Sequence, residues 1–99
     1  MIEHLVLVKF SDETTKNQKL EAVKRLNEMK EKISEIIELK AGLNFSMRNQ
    51  GYDLGVTVQT QNLNALETYL KHPEHEAVKN YLKKIGHIDT IALDFFVGA

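Results

Sequence analysis

Residues Ile2–Phe10 are apolar on both sides of a two-residue repeat. Val6, Val8 and Phe10 fall on one side with Ile2 and His4; Leu5 and Leu7 fall on the other. Successive side chains of a strand point to opposite faces, so a strand of this composition needs cover on both. A layer of helices covers one face. The other cover must come from elsewhere, and a second copy of the chain is the simplest source. With 99 residues, the chain is long enough for one domain over residues 1–99 and too short for two. A domain of that size hides only roughly 60–70% of the surface its unfolded chain exposes, which adds to the case for a partner subunit.

The period then changes along the chain. Thr15 and Gln18 have the spacing of a capping box, and Lys16 to about Ile33 reads as a helix. Leu20, Val23, Leu26, Met29 and Ile33 make its apolar stripe, with Glu21–Arg25 and Glu28–Lys32 as i,i+4 pairs on the wet side. Residues 36–46 read as a second strand, with Leu39, Ala41, Leu43 and Phe45 on one face. Residues 52–60 read as a third, with Tyr52, Leu54, Val56 and Val58 on one face. Polar residues from Met47 to Gly51 join these two strands, which should pair antiparallel. Asn62 or Asn64 can cap a second helix, with Leu63, Leu66 and Leu70 as its stripe and Tyr69 beside it. Pro73 disfavours helix at His72 and suits the first turn of a third helix, to about Lys84, which Gly86 stops. Val78, Tyr81 and Leu82 are its apolar positions. Residues 88–97 form the last strand, with Ile91, Leu93, Phe95 and Val97 on one face. The order predicts an α+β fold of the ferredoxin-like βαββαβ plan, with a four-stranded antiparallel sheet.

Composition excludes several functions. Thirteen Lys and Arg stand against 14 Asp and Glu, for a formal charge of −1. That balance argues against a nucleic-acid partner. The cysteine count is zero, which removes disulfides, thiolate metal sites and a cysteine nucleophile and suits the cytoplasm. Glu3, His4 and Lys9 interrupt the first apolar stretch, so a signal peptide is not expected. No run nears the ~18 apolar residues of a membrane span. The glycines form no phosphate-cradling motif, no serine sits in a nucleophile elbow, and no cofactor is expected.

Chemistry therefore falls to the four histidines, His4, His72, His75 and His87. Tyr69-Leu-Lys-His72-Pro73-Glu-His75 sets two of them beside a phenol. A phenol and an imidazole on adjacent turns can polarise a carbonyl and remove a proton next to it. The same side chains can instead cap and brace a helix junction, and spacing alone favours the brace. His72, Glu74 and His75 lack the H-E-x-x-H spacing, so no metal is expected. His87 reads as an exposed loop residue.

Ile2-Glu3-His4-Leu5-Val6-Leu7-Val8-Lys9-Phe10, Gly51-Tyr52-Asp53, the Tyr69–His75 run and Asp94-Phe95 together resemble the stress-responsive α/β-barrel family, Dabb. The resemblance covers nearly the whole chain. It implies a homodimeric α+β barrel joined through the two sheets. Most of that family has no assigned activity. One branch, similar to the plant olivetolic acid cyclase, closes a linear polyketide by an intramolecular aldol reaction with a tyrosine and a histidine. The matching positions here are Tyr69 and His75, and His4 would line the same pocket. The cyclase branch has aromatics in the first helix, where this chain reads Ala22-Val23-Lys24-Arg25-Leu26.

Two readings follow. In one, a pocket between sheet and helices, walled by His4, Val6, Val8, Leu54, Val56 and His72, holds a small apolar molecule bearing a carbonyl. His75 is then the base and Tyr69 the hydrogen-bond donor. In the other, the chain is a structural or stress-linked dimer without chemistry, and the Tyr/His run holds the helix junction.

Overall fold

The computed structural model describes residues 1–98. The elements are β1 (Ile2–Phe10), α1 (Lys16–Lys32), β2 (Glu38–Leu43), β3 (Tyr52–Thr60), α2 (Leu63–Lys71), α3 (Pro73–Ile85) and β4 (His87–Phe96). The sheet order is β2-β3-β1-β4, and each neighbouring pair is antiparallel. This is the expected βαββαβ plan, with the second helical segment divided at Pro73. β1 is central, as its two apolar faces require. Ile2, His4, Val8 and Phe10 are buried under the helices with Leu54, Val56 and Val58 of β3.

Local chemistry sets the helix ends. Thr15 Oγ1 accepts from the Gln18 amide at 3.1 Å, and Gln18 Oε1 accepts from the Thr15 amide at 2.9 Å, a complete capping box. Asn62, not Asn64, caps α2 by accepting from the Ala65 amide at 2.9 Å. His72 ends α2 and starts α3 in extended geometry, which the following Pro73 favours. Gly86 ends α3 in the left-handed region at φ 115.

Several expectations need correction. Leu20 is exposed, and α1 turns Ala22, Leu26 and Met29 inward, with Ile33 just beyond it. Lys32 lies 3.8 Å from Glu74 of α3, in place of the expected pair with Glu28. In α2 the buried residues are Leu66 and Tyr69, while Leu63 is 61% exposed and Leu70 lies at the margin. The Asn62 cap sets the phase of this nine-residue helix, and the i,i+3 pair Leu66/Tyr69 takes the core side. Phe45, expected inside β2, lies beyond its end and is 97% exposed. There the Asn44 side chain donates to the Tyr52 carbonyl and accepts from the Ser46 amide, which turns the chain out of the strand.

The face of the sheet away from the helices carries Leu5 and Leu7 of β1 opposite Leu93 and Ile91 of β4, with Phe95 opposite Glu3. Ile91, Leu93 and Phe95 are each about half exposed. Across the same face Gly55 of β3 lies beside Leu7, with Gly42 of β2 beyond it. No helix among the described residues is long and apolar enough to cross a membrane.

Thr60, at the end of β3 opposite Ile2, is fully buried and its hydroxyl has no hydrogen-bond partner. A buried unsatisfied polar group costs roughly 1–3 kcal/mol. Thr60→Val keeps the shape and removes the hydroxyl, so urea denaturation should show a gain of about 1 kcal/mol. A loss would mean that the hydroxyl is satisfied in solution.

Candidate functional site

β1 forms the floor of the site. His4 lies between Val58 and Asp94, Val6 between Val56 and Ala92, and Val8 between Leu54 and Thr90. His4 is 6% exposed, and its Nδ1 is hydrogen-bonded to the Asp94 carboxylate directly across the β1–β4 ladder. A carboxylate on one ring nitrogen fixes the orientation of an imidazole and leaves Nε2 free.

The α2–α3 junction forms the roof. Tyr69 closes the last turns of α2 and His75 opens α3, with the extended His72 between them. The Tyr69 ring centroid lies 4.7 Å from that of His75 and 6.0 Å from that of His4, which it meets edge-on. A phenol thus sits between two imidazoles that are 71 residues apart in the chain.

Beside these rings is a cavity of about 220 Å³. An apolar cavity of about 150 Å³ accepts a benzene ring, so this one has room for a ring or a short chain with substituents. Val6, Val8, Val56, Ala92, Val78 and Leu82 give it an apolar lining, closed by Leu26 and Leu70. Small residues on β4, Ala92 and Thr90, keep the floor low beneath α3. Lys79, Lys83 and His87 stand among the lining residues as well.

The electrostatics divide the roles. Burial alone pushes the Tyr69 phenol well above the usual tyrosine range, so it stays protonated and keeps an O–H to donate to a ligand. The His75 Nδ1 lies 3.0 Å from the Leu70 carbonyl. A carbonyl only accepts, so Nδ1 carries the hydrogen and Nε2 of the neutral ring holds the lone pair. Burial is the main influence that lowers the His75 pKa. Lys79 and His4 act in the same direction, against the Leu70 bond and Glu76. A neutral imidazole with a free Nε2 is a competent base near neutral pH.

This shift has a consequence for stability. The unfolded chain takes up a proton on His75 near its ordinary value of about 6.5, and the folded chain resists it. The stabilising contribution is therefore complete above about pH 6.5 and lost as the pH falls below it. The melting temperature of the wild type should fall more steeply from pH 7 to 5 than that of His75→Asn. Parallel curves would mean an unshifted His75.

Of the expected site residues, the fold brings together His4, Val6, Val8, Val56, Tyr69 and His75 around the cavity. It leaves out two. Leu54 is wholly buried in the core, and His72 Nδ1 accepts from the Glu74 amide at 3.1 Å as the cap of α3. His87 is not a loop residue: it begins β4, and its Nε2 meets the Thr90 hydroxyl at the cavity. Asp94 as the partner of His4 has no signal in the sequence, because that pairing depends on the β1–β4 register. Lys79 and Lys83 do carry a signal, since both follow His75 at helical spacing. Tyr52 and Asp53 tie elements together away from the cavity. The Tyr52 hydroxyl donates to Asp89 at 2.7 Å, and Lys19 pairs with Asp53 at 2.8 Å. Among the described residues no three His, Asp or Glu side chains are grouped to hold a metal ion.

The family model of the stress responsive A/B barrel domain, Dabb, matches residues 2–97. The chain belongs to the Dabb family. No curated protein matches this Dabb chain significantly. Among solved structures it is similar to a dimeric ferredoxin-like protein of unknown function from Bacteroides fragilis, at 26% identity over 95% of this chain and 93% of that one, with a TM-score of 0.79. A second dimeric ferredoxin-like protein of unknown function, from Thermobifida fusca, is 22% identical over 97% and 90% of the two chains, with a TM-score of 0.84. The hydroxynitrile lyase of Passiflora edulis shares the fold at a TM-score of 0.83, with 11% identity over 98% and 93%. Enzymes and proteins of unknown function thus share the architecture of this Dabb chain, and its own role rests on its site.

Proposed function

We propose that this Dabb protein binds a small, mainly apolar molecule with a carbonyl group in the cavity beneath Tyr69, and that His75 and Tyr69 perform acid–base chemistry on it. The observation that carries this reading is the placement of Tyr69 between His4 and His75 at the edge of an apolar cavity. His75 Nε2 takes a proton from the carbon next to the carbonyl, and the C–H electron pair becomes an enolate. The Tyr69 hydroxyl donates a hydrogen bond to the enolate oxygen. The carbanion can recover a proton, or attack a second carbonyl of the same molecule and form a C–C bond, with the proton passing to the new alkoxide. His4, held by Asp94, forms the polar part of the floor.

The test needs no knowledge of the natural substrate. A small aliphatic diketone is incubated with the protein in heavy water, and loss of its α-proton signals is followed by NMR. The wild type should accelerate exchange above buffer, and His75→Ala should lose about 10²-fold or more of the acceleration while remaining folded. Exchange at the buffer rate with wild type would sink the catalytic reading.

Two bonds favour the brace as a second reading, from Glu74 to His72 and from His75 to Leu70. On that reading His75→Ala unfolds at markedly lower temperature, and no ketone shifts the melting curve.

The protein also forms a homodimer on this proposal, with the Leu5/Leu7/Ile91/Leu93/Phe95 face of each sheet covered by that of its partner. The two neighbours described as dimeric support a dimer, and the half-exposed Ile91, Leu93 and Phe95 support this choice of face.

A further inference from the structure

The cavity lining is apolar, but its rim is not. His75, Lys79 and Lys83 follow one another at four-residue intervals along α3, and all three border the cavity. Residues four apart lie on one side of a helix, so the proposed base and two ammonium groups form a single row. Across from them stand His87 and Thr90 of β4.

The acids nearby do not neutralise this row. Asp94 is engaged by His4. Glu76 stands 3.7 Å from Lys79, and both side chains are about half exposed, a weak pair in water. Lys83 makes no ion pair among the described residues. The chain as a whole carries a charge of −1, so the positive rim is local to the cavity. Lys83 also lies in the last turn of α3, where a cation suits the helix dipole, but that effect does not require it to border the cavity.

We infer that the ligand of this cavity is an amphiphile with an anionic head, and that Lys79 and Lys83 bind the head while the carbonyl lies inside against Tyr69 and His75. The inference rests on the reading of the cavity as a ligand site and adds the charge and length of the ligand. A helix rises about 1.5 Å per residue. The head therefore sits roughly 6–12 Å along α3 from His75. That span suits a medium-chain acid whose ketone is several carbons from its carboxylate better than a short 2-oxo acid.

Calorimetric titration with three matched probes tests this. The first is an eight-carbon chain with a carboxylate at one end and a ketone near the other. The second is its methyl ester, and the third is the unsubstituted eight-carbon ketone. The acid should bind about tenfold or more tightly than the ester, and raising the salt concentration should narrow the gap. Lys79→Gln/Lys83→Gln, with an unchanged melting temperature, should abolish the preference for acid over ester. A matched phosphate monoester that binds more tightly still names the head as phosphate and keeps the inference. Equal affinity for acid and ester in the wild type overturns it while leaving the cavity reading standing. No binding of any probe overturns both.

Discussion

Gly86→Ala is expected to destabilise the protein by about 2–4 kcal/mol. Gly86 stops α3 at φ 115, where a side chain is strained. A Cβ there would also collide with Thr14 Oγ1. That hydroxyl is buried and donates to the Ile85 carbonyl, while the Gly86 carbonyl accepts from the Ser11 amide at 2.8 Å. One methyl group thus strains the cap and displaces the bond that ties the β1–α1 loop to the end of α3. For a domain near 100 residues, each kcal/mol lowers the melting temperature by about 4–8 °C. Lys24→Ala, at an exposed position of α1 away from the open sheet face, is the control, and its effect should stay within about 0.5 kcal/mol. Equal melting temperatures for the two variants would refute this account of the cap.

Leu93→Glu is expected to convert the protein into monomers. Leu93 lies opposite Leu5 on the open face and is half exposed in the single chain. The substitution therefore leaves the protomer's own core intact. In a dimer packed through this face, the carboxylate would be buried without a partner, at a cost of several kcal/mol. Dissociation should become at least about 100-fold easier. Light scattering should give the chain mass of 11.3 kDa, in place of twice that for the wild type. Leu63→Glu, on the exposed start of α2, should remain dimeric. A wild type that is monomeric at all concentrations, or a dimer that tolerates Leu93→Glu, would remove this face from the interface.

The sequence made the sheet legible because strand parity is a local property. Val6 and Val8 against Leu5 and Leu7 already distinguish two faces, and both faces lie where the parity puts them. Capping was equally local: Thr15 with Gln18, Pro73 after His72, and Gly86 each act within a few residues. The phase of α2 was not legible. Leu63, Leu66 and Leu70 make a credible stripe, but a nine-residue helix buries only two positions, and packing selects Leu66 and Tyr69. Part of the site was legible through composition, since His4, Tyr69 and His75 are the side chains able to move protons. Their convergence is a tertiary fact. Asp94 reaches His4 only because β4 pairs with β1 in one register out of several. His72, inside the Tyr69–His75 run, is turned to the α3 cap instead. The positive rim escaped notice because Lys79 and Lys83 read as ordinary solvated charges until α3 is set over the sheet.

The most direct test of the central claim is an NMR titration of the isotopically labelled protein with a small ketone, following the imidazole nitrogens of His4, His72, His75 and His87. His75 Nε2 and His4 Nε2 should show a saturable shift with one common affinity, His72 should not move, and the response should be lost when Leu82→Trp fills the cavity. Shifts that never saturate, or that fall on the open sheet face around Leu93 and leave His4 and His75 unchanged, would contradict it.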